Sequence, residues 1–475
     1  MNVSRRKVLA TASAAPFIAS FGYHAAAAAP ALKKAAVEKL RSSLQGRLYL
    51  PESADYPRIN RGDGVAPVDG KHPALIVQPM NAQDISRAII FAREAGLPIG
   101  VRSGGHDALG ASTTVDGLQI DLALMNGVEI FATNGTGHIQ TGARSGVLNA
   151  AAQKHDLAAA LGMMGHVGIG GVTLGGGIGW LCGRDGATVD NLLAAEVVTA
   201  DGKVLTTSAE ENPDLFWAIR GGGGNFGVAS NFTFRLRKVG TVLGGTVAFK
   251  TDAAKFMRFF GDYLKASPDH LDTALILVPG GRVAVRVCWS GDVEEGERIL
   301  RPLRNYATPL ADAIKVMPYE GFIEAPTAAP MYGNHHTRSG ALGLLNDKVI
   351  PTLARLADSA PEGVGTIGLM HYMHGAMCRV DQNATPFIRQ EGNILYAATT
   401  SWEGPVHPED KKTWVQKTYE EIRKVARAQT YINYLSEDDE KWVRNAYGPH
   451  YAKLQKLKRT YDPTNVFRGN RNIRV

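Results

Sequence analysis

Arg102-Ser103-Gly104-Gly105-His106-Asp107 gathers the residue types best suited to chemistry in this chain of 475 residues. Adjacent glycines let the backbone approach a ligand closely enough for its N–H groups to bind phosphate oxygens. His106 carries a ring nitrogen that can bond to an electrophilic carbon. The turn ends at Gly110, and Leu97-Pro98-Ile99-Gly100-Val101 before it reads as a short buried strand. A second run, Gly222-Gly223-Gly224-Asn225-Phe226-Gly227, satisfies G-x-G-x-x-G. It is followed by strand-like Val228 to Phe234 where that fingerprint needs a helix, so a Rossmann reading fails and close chain packing is expected. His335-His336 and His371-x-x-His374 invite a metal. Residues three apart on a strand face opposite sides, however, and no glutamate completes a zincin pattern, so no metal is expected.

The elements that position these residues follow from hydrophobic period. Ala82 to Ala95 sets Ile85, Ala88, Ile89 and Ala92 at helical spacing behind the capping candidate Asn81, which predicts a helix ahead of the histidine turn. Leu148 to His155 is a second helix candidate. Ala195 to Leu205, around Asp201-Gly202, and Val228 to Leu236 read as antiparallel strands and turns. Past residue 240 the glycine pattern stops. Val283 to Val287 and Leu395 to Ala398 read as strands there, and Asp252 to Leu264 and Pro408 to Arg427 as charged helices. The expected organisation is a domain over 30–240, a different one inserted at 241–425, and a segment over 426–475 that returns to the first.

Composition agrees: 44% hydrophobic and 20% charged residues suit two domains with a large core. Arg5, Arg6 and Lys7 supply three of the net charge of +7, leaving about +4 with no other basic run, so nucleic acid is not an expected partner. Ser4-Arg5-Arg6-Lys7 precedes a mildly apolar stretch from Val8 to Phe21 and the small residues Ala25 to Ala29. This reads as a twin-arginine signal over 1–29, with the twin-arginine export machinery as partner and a periplasmic or secreted destination; an amphipathic first helix is the competing reading. No stretch reaches 18 uninterrupted apolar residues, so no stable membrane span is expected. Cys182, Cys288 and Cys378 are too few for a disulfide framework.

Five segments in order carry a resemblance from about residue 50 to the C-terminus. They are Arg102 to Gly110, Asp121 to Asn126, Gly168 to Gly177, Leu215 to Gly227 and Tyr461-Asp462-Pro463-Thr464-Asn465-Val466-Phe467. Together they resemble the berberine-bridge-enzyme-like FAD oxidases. The resemblance implies an α+β fold: a two-part PCMH-type FAD-binding domain with an inserted substrate domain built on an antiparallel sheet covered by helices. It further implies an 8α-histidyl bond from His106 to FAD. The cofactor contacts it implies are Arg102, Ser103, Gly104, Gly105, Asp107, Gly110, Val167, Gly171, Gly175, Gly176, Gly177, Asn225, Gly227, Asn465 and Asn470. Met164 stands where many relatives carry a second flavin-linking cysteine, so FAD is expected to be singly linked. His166 beside it has an open role.

Val167 occupies the position that in relatives lies near the flavin carbon where dioxygen reacts, and a valine there resembles the oxygen-reactive members; simple core packing is the other reading. Tyr431-Ile432-Asn433-Tyr434 resembles the segment that supplies active-site tyrosines in bacterial members. Tyr434 is expected as the base and Tyr431 as its assistant. A phenol with a pKa near 10 needs its anion favoured by neighbouring donors or by substrate, and on a strand the two rings would face opposite sides unless the chain bends. His374-Gly375-Ala376-Met377-Cys378-Arg379-Val380, with Phe387, resembles the substrate-domain core, as pocket wall or as packing. The implied activity is hydride removal from an alcohol, sugar or amine, with O2 as acceptor. A dehydrogenase using a quinone, and a flavin-binding protein without turnover, are the alternatives.

Overall fold

The computed structural model describes residues 32–62, 71–107, 110–324, 334–361, 365–402, 409–426, 429–436, 440–469 and 471–475. The expected export signal and Asn470 lie outside the described residues.

A four-stranded sheet comes first, in the order Arg47–Tyr49, Leu75–Gln78, Leu118–Asp121, Ile99–Arg102. Its last three strands are parallel. Parallel strands are covered on both faces, which is why Leu75, Ile76, Val77, Leu118 and Ile120 are all fully buried. The helix Ala82–Glu94 covers one face with Ile85, Ala88, Ile89 and Ala92, and the Asn81 side chain accepts the Asp84 N–H at 2.9 Å as expected of an N-cap. Such a cap stabilises a helix by about 1 kcal/mol. The strand Ile99–Arg102 delivers the histidine turn at its C-terminal end.

A five-stranded antiparallel sheet follows, in the order Val128–Phe131, Thr136–Gln140, Val228–Arg235, Leu192–Val198, Val204–Ser208. The expected Asp201-Gly202 turn joins the last two, with Gly202 at φ +83°, a conformation that favours glycine. The second expected helix starts one turn early, at Ser145, and runs to Gln153. Two hydrogen bonds fix this earlier start: the N–H groups of Ser145 and Gly146 donate to the carbonyls of Val167 and Gly165 at 2.9 and 2.8 Å.

The largest sheet lies between residues 241 and 402. Its order is Ala311–Asp312, Thr241–Lys250, Arg282–Trp289, Leu271–Val278, Gly365–Tyr372, Ile394–Trp402, Asn334–Gly343, with Lys315–Pro318 also paired to Thr241–Lys250. All its pairings are antiparallel. The helices Ala253–Lys265, Val293–Arg304, Val349–Asp358 and Glu409–Val425 pack on one face, against Val247, Leu275, Val285 and Leu369 among others. The other face is turned to the first two sheets. After the helix Tyr451–Tyr461 the chain returns to them: Ile473 N–H donates to Asn225 Oδ1 at 3.0 Å and Phe467 joins the core of the parallel sheet. Cys182, Cys288 and Cys378 are free. No helix among the described residues is long and apolar enough to cross a membrane.

Candidate functional site

Three parts of the chain enclose one cavity of about 370 Å³. One wall is glycine backbone: Gly104, Gly105, Gly168, Gly170, Gly171, Gly223, Gly224 and Gly227, beside Ser103, His106, Asp107 and Val167. The opposite wall is the face of the large sheet away from its four covering helices, with Thr246, Arg286, His335, Thr337, Ser339, Thr366, Thr399 and His371. Tyr431, Asn433 and Tyr434 close it from the returning segment.

The histidine turn is held from behind. Arg102 is buried and pairs with Asp121 at 3.1 Å while donating to the carbonyls of Asn60 and Ile59. Ser103 Oγ donates to the Thr141 carbonyl at 2.7 Å and accepts the Gly170 N–H at 3.2 Å. Gly104 and Gly168 touch backbone to backbone: a Cβ on Gly104 would lie 2.4 Å from Gly168 N, and one on Gly168 2.1 Å from Gly104 N. Asp107 pairs with Arg471, which also donates to the Leu435 carbonyl and so ties the histidine turn to the tyrosine turn.

His106 and His166 meet Nε2 to Nε2 at 3.1 Å, with ring centroids 5.1 Å apart. Burial, helped by His166 and His335, pushes the His106 pKa down to about 4 against the pull of its own carbonyl and Asp107. Burial and then Arg144 lower that of His166. Both rings are therefore neutral near pH 7, and the tautomer decides which of the two nitrogens donates.

The tyrosine run forms a 3-10 turn over Ile432–Tyr434, not a strand. The turn supplies the bend that a strand would have needed, and both rings reach the cavity with centroids 5.8 Å apart. Their hydroxyls differ. Tyr431 Oη accepts from the Gly177 N–H at 2.9 Å and from Asn433 Nδ2 at 2.8 Å. The Tyr434 hydroxyl has no hydrogen bond among the described residues. Burial raises both pKa values; at Tyr431 the two donors oppose it, whereas nothing opposes it at Tyr434. The donors expected to favour an anion thus stand on the assisting tyrosine.

Not every expected contact reaches the cavity. Gly175, Gly176 and Gly177 leave room for protein atoms: a Cβ there would lie 2.2 Å from Asn433 Oδ1, 2.6 Å from the Phe387 ring and 2.1 Å from Thr188 Oγ1. Asn225 is structural, donating to Gly222 O and accepting from Ile473 N–H. Arg102 anchors the turn, Gly110 accepts from Lys71 Nζ at 2.7 Å, and Asn465 lies outside the wall with a buried, unbonded Oδ1. His374 forms neither pocket wall nor sheet core: it approaches Asp272 at 3.5 Å and packs on Gly183, clamping the large sheet to the first domain. Phe387 packs edge-on to Tyr431 at 5.4 Å.

Three residues in the walls were not anticipated. Arg286 lies buried 4.5 Å from the Phe322 ring and 5.5 Å from that of Trp180, and donates to the Phe322 carbonyl. His371 stands edge-on to Tyr434 at 5.9 Å, its pKa pushed down to about 3 by burial. Asn433 bridges Tyr431 and the Gly171 carbonyl. The lone arginine inside apolar Val283 to Val287 is a signal in the sequence, and Asn433 stands within the tyrosine run; His371 reads there only as a candidate metal ligand.

The glycine wall fits a flavin nucleotide. A Cβ on Gly171 or Gly224 would meet nothing within 4 Å and would project into open cavity. That is the shape of a backbone surface kept bare for a ligand.

Comparison with known proteins agrees. Residues 73–208 match the FAD binding domain family, and residues 430–474 the berberine and berberine-like family. The chain is 30% identical over 455 residues to (R)-6-hydroxynicotine oxidase of Paenarthrobacter nicotinovorans, covering 91% of this chain and 97% of that protein. It is 28% identical over 449 residues to the FAD-linked oxidoreductase YgaK of Bacillus subtilis, covering 91% and 98%. The crystal structure of 6-hydroxy-D-nicotine oxidase from Arthrobacter nicotinovorans superposes with a TM-score of 0.82 at 28% identity, over 91% of this chain and 98% of that one. These likenesses run nearly end to end and agree with the PCMH-type fold, so the chain belongs to the berberine-bridge-enzyme-like family and is an FAD-dependent oxidoreductase.

Proposed function

We propose that this protein is an exported oxidase that takes a hydride from an alcohol, sugar or amine carbon and reduces O2 to hydrogen peroxide. FAD in the cavity would supply the hydride acceptor, bonded once, to His106. Ser103, Gly104, Gly171 and Gly224 would hold it against the bare backbone wall. The observation that carries the reading is the Tyr434 hydroxyl: it is unengaged among the described residues and lines the same cavity as that wall. Tyr434 takes the proton from the substrate hydroxyl or amine, and Tyr431 holds the turn in place. Thr246, Thr337, Thr366 and Thr399 on the sheet face offer hydroxyls to a polar substrate, and Arg286 gives that wall its cation. Met164, only 8% exposed, offers no thiol for a second bond.

The names of the 6-hydroxynicotine oxidases, and Val167 on the cavity wall, favour dioxygen as the acceptor. The test is a panel of alcohols, sugars and amines, screened anaerobically for bleaching of the yellow protein and then re-aerated. Peroxide stoichiometric with substrate supports the oxidase. Bleaching that reverses only with a quinone means a dehydrogenase, and no bleaching with any compound means binding without turnover. A second assignment of roles, with Tyr431 as the base, is favoured by the two donors on its oxygen.

A further inference from the structure

His166 has no part in the reaction proposed above, yet it is the side chain joined to His106. The two loops that carry the pair are locked together. Gly104 and Gly168 abut, and the carbonyls of Gly165 and Val167 on either side of His166 accept from Gly146 and Ser145. His166 is partly exposed, so a proton that reaches it can pass to water.

We propose that His166 accepts the Nε2 proton of His106 while His106 Nδ1 bonds to the 8α carbon of FAD; this rests on the covalent reading of His106. The bond formed is Nδ1 to carbon, and the bonds broken are one C–H at that carbon and the Nε2–H. The electron pair stays on the isoalloxazine, which is reduced by two electrons and takes up the equivalent of both protons, one of them passed on by His166 through water. Dioxygen removes the pair and two protons as hydrogen peroxide. Position follows from geometry: Nε2 faces His166 at 3.1 Å, so Nδ1 is the nitrogen left to attack, in the tautomer that gives up its bond to the His106 carbonyl and carries the proton on Nε2. Neutrality of both rings serves the step, since a protonated His106 has no lone pair and a protonated His166 cannot accept. Arg144 and His335 disfavour a resident charge on the pair, and Asp107 opposes them.

His166 is thus a positioning residue for cofactor attachment and not a catalytic residue of turnover. The test uses the full chain isolated flavin-free, with FAD added and acid-stable flavin followed over time. His166→Ala and His166→Phe should still bind FAD, measured by quenching of its fluorescence, but attach it about 10²-fold more slowly, the lower scale for a positioned proton transfer. Added imidazole should speed attachment in His166→Ala, which a packing role would not allow. The flavin peptide from the wild type should be the Nδ1 isomer. Attachment at the wild-type rate in His166→Phe, failure of imidazole to rescue, or an Nε2-linked peptide each overturns the proposal. Acid-stable flavin in His106→Ala overturns the covalent reading itself, whatever His166 does.

Discussion

The two tyrosines that line the cavity separate cleanly by mutation because their hydroxyls are bonded differently. In Tyr431→Phe the Gly177 N–H, buried 2.9 Å from the lost oxygen, is left without an acceptor. An unsatisfied buried donor costs about 1–3 kcal/mol, so that variant should unfold at lower urea. Tyr434→Phe deletes a hydroxyl with no hydrogen bond among the described residues, and its stability and flavin content should match the wild type. The rates should order the other way. If Tyr434 takes the substrate proton, anaerobic flavin reduction in Tyr434→Phe slows by about 10² or more, and Tyr431→Phe costs less. Relative to the wild type, the double variant should lose much less than the product of the two single losses, because residues serving one proton transfer act as a unit. Stopped-flow reduction and urea unfolding on the same four proteins suffice. Wild-type reduction by Tyr434→Phe, with the loss falling on Tyr431→Phe, refutes the assignment and hands the proton to the oxygen that already has two donors.

Gly171→Leu fills space that no protein atom occupies, so the flavin-free chain should stay as stable as the wild type while FAD uptake drops at least tenfold by fluorescence titration. Asp462→Ala strands Lys458, whose ammonium is fully buried 2.7 Å from that carboxylate, and should cost about 3–5 kcal/mol in urea unfolding. Replacing Arg5 and Arg6 with lysine should hold a folded, flavin-containing precursor in the cytoplasm on fractionation; unchanged export would mean a different signal. Folded His371 titrates near about 3 where the free side chain titrates near 6.5, so between those values the unfolded chain binds the extra proton and stability falls as pH falls. His371→Asn should flatten that slope by about 1.4 kcal/mol per pH unit, and urea unfolding at pH 6 and 4 would show it.

The strand before the histidine turn and the Asn81 cap were readable because each is set by neighbours a few residues away, and the turn itself because its glycines are adjacent in the chain. So was the failure of the Rossmann pattern, since the strand Val228–Arg235 follows its glycines directly. What escaped depends on distant partners. Gly175, Gly176 and Gly177 look like cofactor glycines in the sequence, and only the fold shows that Asn433, Phe387 and Thr188 occupy the space their side chains would need. The bond from Gly177 to Tyr431 spans 254 positions. Likewise a four-residue tyrosine run carries too little periodicity to distinguish a turn from a strand. Arg471 left no local sign, since its partners Asp107 and Leu435 lie 364 and 36 positions away.

The Asp107–Arg471 pair joins positions 364 residues apart. During synthesis the loop bearing His106 is made early and then waits without its Arg471 contact while the whole large sheet and its helices are added. A cofactor pocket assembled in this order is a late product of folding. The flavin therefore meets either an open loop or a finished site, and secure retention belongs to the chain whose residue 471 has docked. Cofactor loading then reports completion: a population sorted by tightly held flavin is sorted for molecules in which the returning segment has found its place.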